Sequence, residues 1–270
     1  MIKTYHEAPI SIFKEVQEVT YGDYALVHLF ESSEAYFQMF KQAVRDGRDV
    51  ILDNSLFELR EAFDAERYVY WIKRLEPTWY IVPDSWKNSA ETVKMFHEFV
   101  AKYPNLPGKR IGVAQGLGLE DTAQCYKSIE PLCDKVAFNF DGSVAWKSLT
   151  KISMNKYLDM SAGRRLLISL LDDLGVINHD KPHHLLGCGV PQEMALYTET
   201  WIDSVDTSNP VMWGLLKKRY LLNGMDMKPS EMMANIMHIN VTESQLHDVI
   251  YNIGRFQDFC LRKAGGEIWC

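Results

Sequence analysis

Short apolar runs that end in a polar residue or a glycine recur along this 270-residue chain. They include Ile51-Leu52-Asp53-Asn54, Tyr80-Ile81-Val82-Pro83-Asp84, Ile111-Gly112-Val113-Ala114-Gln115-Gly116, Val136-Ala137-Phe138-Asn139 and Leu185-Leu186-Gly187-Cys188-Gly189. In a further run, Ile202-Asp203-Ser204-Val205-Asp206-Thr207, a strand ends among small polar groups and is stopped by Pro210. A carboxylate in such a place has a rigid strand behind it and a loop in front that leaves room for a substrate. Asp53, Asp84 and Asp206 can accept from N–H groups, and Gln115 and Asn139 can also donate to a carbonyl. Gly116, Gly187 and Gly189 would let a ligand approach bare backbone. The set suits a flat, polar ligand rich in N–H and C=O groups. The alternative for any one acid is a helix N-cap after its strand, which is common in βα loops. To explain the whole set, that alternative would have to hold for every acid at once.

To bring these side chains to one place, the elements must repeat. Strands are predicted at 24–30, 49–54, 79–82, 110–115, 135–140, 185–188 and 203–207, with an eighth within 1–20. Helices are predicted at 34–46 (Gly47 lies just past its end), 63–75, 89–103, 119–129, 147–174 with a break near 161–163, and 192–200. Beyond residue 211 the chain reads as helical, with a capping box at Thr242 and Gln245. Strand starts lie roughly 25 to 30 residues apart, which is βα repetition and implies a parallel sheet. A doubly wound sheet competes. Polar residues at nearly every strand end, and no glycine-rich dinucleotide fingerprint after the first strand, favour a single-domain (β/α)8 barrel over about 1–210 with extra C-terminal helices over about 211–270.

The net charge of -7 means that nucleic-acid binding would require a local basic patch. The five cysteines lack metal-site spacing, and no metal or cofactor is expected. The adjacent His183 and His184 should face opposite ways and have no partner cluster. No apolar run reaches membrane length, and no signal peptide is visible, so the expected compartment is the cytoplasm.

The donor and acceptor edges of guanine match the strand-end set. In order and approximate spacing, from about residue 50 to 210, the motifs resemble those of the tRNA-guanine transglycosylase superfamily. Those motifs are Asp-Ser-Gly-Gly-Phe-Gln, a strand-end Asp, Gly-Ile-Val-Gln-Gly, His-Tyr-Leu-Met-Gly-Val-Gly and Phe-Asp-Cys-Val. This chain has Asp53-Asn54-Ser55-Leu56-Phe57-Glu58, Asp84, Gly112-Val113-Ala114-Gln115-Gly116, His183-His184-Leu185-Leu186-Gly187-Cys188-Gly189-Val190-Pro191 and Val205-Asp206-Thr207. The family's Cys-Cys-Cys-His zinc module is absent and its glycine pair is lost, Asn54-Ser55-Leu56 standing where the motif has Ser-Gly-Gly. The chain therefore looks more like the compact phage and bacterial branch that places 7-deazaguanines in DNA than like the tRNA enzymes.

The resemblance implies a (β/α)8 barrel that exchanges guanine for a 7-deazaguanine base through a covalent aspartyl-nucleotide intermediate. It makes Asp206 the nucleophile and Asp53 the proton-transfer group. Asp84 would bind the amino-imino edge of the base and Gln115 its carbonyl. Asp203, the rival nucleophile, should face away from Asp206. Trp213, Lys217, Lys218 and Arg219 are the candidates for nucleic-acid contact, with Arg164-Arg165 as a weaker pair; ordinary solvated charge is the alternative. Two rival functions stay open: a small-metabolite barrel lyase or hydrolase, and a nucleobase- or nucleic-acid-binding module without turnover.

Overall fold

A computed structural model describes residues 1–140, 151, 155–225 and 236–261. Eight parallel strands close into a barrel in chain order: β1 Lys3–His6, β2 Gly22–Leu26, β3 Asp49–Asp53, β4 Trp79–Ile81, β5 Lys109–Val113, β6 Lys135–Asn139, β7 His183–Leu186 and β8 Ile202–Asp206. β1 is the strand expected within the first 20 residues. It closes the barrel by pairing with β8, Lys3 beside Ser204 and Tyr5 beside Asp206. The protein is thus a TIM-type barrel, and the doubly wound alternative is excluded.

The strands are apolar on both faces because both faces are covered. Tyr5, Tyr24, Leu26, Ile51, Ile81, Ile111, Val113 and Ala137 fill the interior as a cluster of their own. The other face packs under the helices in a larger core. The helices are α1 Phe13–Gln17, α2 Val27–Ser32, α3 Glu34–Arg45, α4 Leu56–Leu59, α5 Ala65–Leu75, α6 Ser89–Lys102, α7 Leu119–Ile129, α8 Lys156–Asp173, α9 Asn209–Leu215 and α10 Glu243–Cys260. Their starts follow local chemistry. Ser33, Asp64, Asn88 and Asn155 accept backbone N–H bonds as N-caps. The predicted capping box at Thr242 and Gln245 opens α10. α9 and α10 cross closely at Gly214, where a Cβ would lie 2.4 Å from the Val249 nitrogen.

Several expectations are corrected. The strand predicted over 24–30 stops at Leu26, and Val27–Ser32 is helical, which sets Phe30 against Phe37 and Trp71 at 5.4 Å each. No break occurs at 161–163. Ser161 and Gly163 are small because that buried face of α8 packs inward; Ser161 bonds Glu193 at 3.0 Å. α8 begins at Lys156; the parts of the predicted helix over 147–150 and 152–154 lie outside the described residues. The helix predicted over 192–200 is a 3-10 segment, Pro191–Leu196, which buries Glu193 and Met194. Among the described residues no helix is long and apolar enough to cross a membrane.

Candidate active site

The strand-end residues open into one cavity of about 950 Å³ at the carboxyl end of the barrel. Asp53, Asp84, Gln115, Asn139, Gly187, Gly189 and Asp206 all line it. None of the three acids is an N-cap: Ser55, Asn88 and Ser208 hold the N-cap positions of α4, α6 and α9. Their carboxyl groups take part in bonds among strand ends and loops.

On one side stands a base-sized polar array. Asp84 accepts from Asn54 Nδ2 at 2.7 Å and from Gln115 Nε2 at 2.6 Å. Gln115 Oε1 in turn accepts from the Lys87 N–H at 3.0 Å and from Asn139 Nδ2 at 2.9 Å. A backbone N–H can only donate, so the Gln115 oxygen must face Lys87 and its nitrogen must face Asp84. Gln115 therefore keeps a second N–H for a ligand carbonyl, and Asp84 keeps lone pairs for ligand N–H groups. Asn54 has no such role in the sequence reading; its two-way hold on Asp84 and on the Leu56 N–H is a contact between loops. Burial pushes the Asp84 carboxyl up from its usual range, against the bonds from Gln115 and Asn54. Asp84→Ala is expected to weaken guanine binding by about 1–3 kcal/mol, the cost of unpaired purine N–H groups. Calorimetry with guanine reads this, and unchanged affinity in both Asp84→Ala and Gln115→Ala would remove the pair from the site.

Asp53 and Asp206 face the same space. Asp53 accepts from the Tyr24 hydroxyl and from the Ser55 N–H. Burial, then the charge of Glu58 nearby, raise its pKa well above the usual carboxylate range, with a smaller push from Asp206. The native state thus holds a proton on Asp53 where the unfolded chain has lost it. That contribution to stability is complete below the unfolded pKa and is lost as pH rises through the native one. Asp53→Asn keeps the shape without the titration. The stability difference, variant minus parent, should therefore grow from acid to neutral pH and reach the order of 1 kcal/mol typical of a single substitution. Urea midpoints between pH 4 and 8 test this; a difference that shrinks with pH contradicts it.

Asp206 Oδ1 accepts from His184 Nε2 and from the Gly187 N–H, each at 2.9 Å. Gly187 has φ +73, a left-handed conformation that turns its N–H toward Asp206. Gly189 is needed for packing, since a Cβ there would lie 2.7 Å from the rings of Phe140 and Tyr157. Gly116 does not serve a ligand: the space of its missing side chain is taken by Thr122, whose Oγ1 would be 2.3 Å from a Cβ. His183 and His184 do point opposite ways. His183 turns outward to Tyr126 at 2.8 Å, while His184 is wholly buried in the barrel beside Asp206. Asp203 lies at the other end of β8, bonded to Lys135 at 2.8 Å and Lys3 at 3.1 Å.

The cationic candidates lie elsewhere. Lys217, Lys218 and Arg219 are exposed beyond the end of α9 and do not line the cavity. Arg219 is bonded to Asp248 at 2.6 Å, and Lys218 sits over the Trp213 ring at 5.0 Å. Arg164 is corrected outright: it is fully buried, bonded to Glu193, and cannot reach a phosphate. Arg165 is paired with Glu199 at 2.6 Å. At the rim itself, Arg60 is stacked 4.4 Å from Phe57 and 4.6 Å from Trp86, and Lys87 covers the same Trp86 ring at 4.6 Å. This cluster borders both the main cavity and a side cleft of about 340 Å³. No protein-family model and no curated protein matches the chain.

Proposed function

We propose that the chain is a base-exchange transglycosylase that replaces guanine in nucleic acid, DNA in preference to tRNA, by a 7-deazaguanine. The observation that carries this reading is the pairing of two unlike halves in one cavity. Asp84 and Gln115 offer an acceptor and a donor side by side, and Asp53 and Asp206 offer two carboxyl groups with different hydrogen-bond partners in the same cavity. Ser55 stands where the family motif has a glycine and has φ +60, the backbone state a glycine adopts without strain.

In the exchange, an Asp206 oxygen bonds to C1′ as the C1′–N9 bond breaks, and the Asp53 carboxyl gives its proton to the departing guanine. Burial and the nearby Glu58 charge favour the protonated form of Asp53, as suits an acid that gives up a proton in the exchange. The incoming base then returns a proton to Asp53, and its N9 displaces Asp206 from C1′. The covalent step keeps the polymer attached between the loss of one base and the entry of the next. Two carboxyl groups that share the work of nucleophile and acid follow the logic of retaining glycosidases.

The polymer would lie along the rim, where Arg60 and Lys87 meet Phe57 and Trp86. Stacked aromatic and cationic side chains suit an unpaired strand, and a duplex would have to release the target base first. The Arg60→Ala/Lys87→Ala double variant should lower the slope of log affinity against log salt by about one for each phosphate that is no longer neutralised. An unchanged slope would leave these residues as ordinary rim packing. The reading as a whole is tested by incubation with labelled guanine and either duplex DNA or tRNA. Label in DNA supports it, and label in tRNA alone overturns the choice of polymer. Guanine binding with no label in either polymer indicates a binding module without turnover.

A further inference from the structure

A continuous hydrogen-bonded chain runs through the barrel interior from its floor to Asp206. At the floor Lys3 and Lys135 both bond Asp203, at 3.1 and 2.8 Å. Lys135 Nζ also donates to Ser204 Oγ at 2.9 Å. Ser204 Oγ lies 2.9 Å from His184 Nδ1, and His184 Nε2 lies 2.9 Å from Asp206 Oδ1. Lys135, Ser204 and His184 are all 0% exposed. None of this is needed to close a barrel, whose interior already holds an apolar cluster around Ile51, Ile81 and Ile111. A buried lysine and histidine are kept at a desolvation cost that apolar residues would avoid.

The order of donors and acceptors along the chain is fixed by its ends. An ammonium group has no acceptor, so Ser204 Oγ must accept from Lys135. The Asp206 carboxylate at the other end can only accept, so His184 Nε2 must carry a proton, and a neutral ring then presents its Nδ1 lone pair to the Ser204 O–H. The ring proton therefore sits on Nε2 and is donated to Asp206. A second proton on Nδ1 would face a hydroxyl oxygen already engaged by a cation. We propose that Lys135, acting through Ser204, holds His184 as the neutral Nε2–H tautomer, and that His184 is a positioning residue that orients Asp206 without cancelling its charge.

An imidazolium in the same place would form an ion pair with Asp206 and draw charge from the attacking carboxylate. The groups facing His184 are Asp206 and Asp203 on β8, Lys135 on β6, and Lys3 and the Tyr5 ring on β1, the last with its centroid 6.2 Å away. The two aspartates favour protonation, while Lys135 and burial oppose it. Burial is the largest influence and lowers the His184 pKa. The functional part of this inference rests on Asp206 as the nucleophile; the tautomer does not.

The test is nitrogen-15 NMR of the histidine-labelled full chain, with the His184 signal assigned by its loss in His184→Gln. The parent should show an Nε2–H ring with a lone-pair Nδ1 at neutral pH, and a protonation midpoint below the ordinary histidine value of about 6.5. In Lys135→Met the Ser204 oxygen is freed and the cation removed, so the protonation midpoint should rise by about one pH unit or more. In the Lys135→Met/Ser204→Ala double variant the acceptor for a second proton is gone, and the midpoint should fall back. An Nδ1–H tautomer or an imidazolium in the parent at neutral pH overturns the proposal, whether or not any variant folds. So does an unchanged midpoint in Lys135→Met. Base exchange by Lys135→Met should drop in kcat below its new midpoint and recover above it, with KM for the base unchanged. If the parent shows no exchange at all, the reading of Asp206 fails while the NMR result still decides the tautomer.

Discussion

Asp206→Asn abolishes the covalent nucleic-acid adduct and lowers base exchange by an expected 10⁴- to 10⁶-fold, on the order of what is lost when a nucleophile in a triad is removed, while guanine still binds. The asparagine keeps the shape of the site and can still accept from the Gly187 N–H and His184 Nε2. It lacks the charge that stabilises an oxocarbenium-like sugar and the oxygen that bonds to C1′. In the proposed exchange base affinity would reside at Asp84 and Gln115, so the two effects should separate. Denaturing gel electrophoresis of protein trapped with oligonucleotide and excess base reads the adduct. Asp203→Asn should retain it, because Asp203 lies at the far end of β8 between Lys3 and Lys135. A band that persists in Asp206→Asn, or is lost only in Asp203→Asn, identifies the wrong aspartate.

The largest stability effect is expected at Glu193→Ala. Arg164 and Glu193 are both buried, with Arg164 Nε bonded to Glu193 Oε1 at 2.7 Å. Arg164 also donates to the carbonyls of Phe138 and Leu186, at 3.2 and 3.1 Å, and so ties together the ends of β6 and β7. Ser161, Tyr197 and the Cys188 thiol also bond Glu193. Removing the glutamate leaves a guanidinium in the core with no countercharge, which should cost about 3–5 kcal/mol. The double variant Arg164→Met/Glu193→Leu removes both charges and should recover most of that loss. Urea denaturation compares them. A single variant as stable as the parent would mean that solvent reaches Arg164.

Much of this architecture is legible in the chain. The strand-end residues Asp53, Asp84, Gln115, Asn139 and Asp206 do converge, because βα repetition places every strand terminus on one face whatever the detailed packing. What local pattern does not reveal is set by distant contacts. The roles of Asn54, Tyr24 and Glu58 depend on which loops meet above the barrel. In the sequence His184 is half of an uninformative pair, and only the registration of β7 against β8 brings it to Asp206. Lys135 and Ser204 look like polar residues near strand beginnings; nothing local says that their side chains point into the barrel. At 161–163 the small residues resemble a helix break but serve close packing. At 191–196 Pro191 and the burial of Glu193 select a tight 3-10 segment where local pattern suggests a regular helix.

The pairing of β1 with β8 has a consequence for how the molecule is made. Tyr5 lies beside Asp206, so the strand synthesised first cannot close the sheet until its neighbour, some two hundred positions later, has emerged. At a translation rate of about 5–20 residues per second that wait is roughly 10 to 40 s. Until then the growing sheet carries an open edge whose N–H and C=O groups can recruit another chain. Such long-range closure is also slow in itself, because the entropy of joining distant segments is lost before their contacts form. The candidate nucleophile sits on the strand that completes the circle, so a nascent chain remains chemically inert until the barrel has closed.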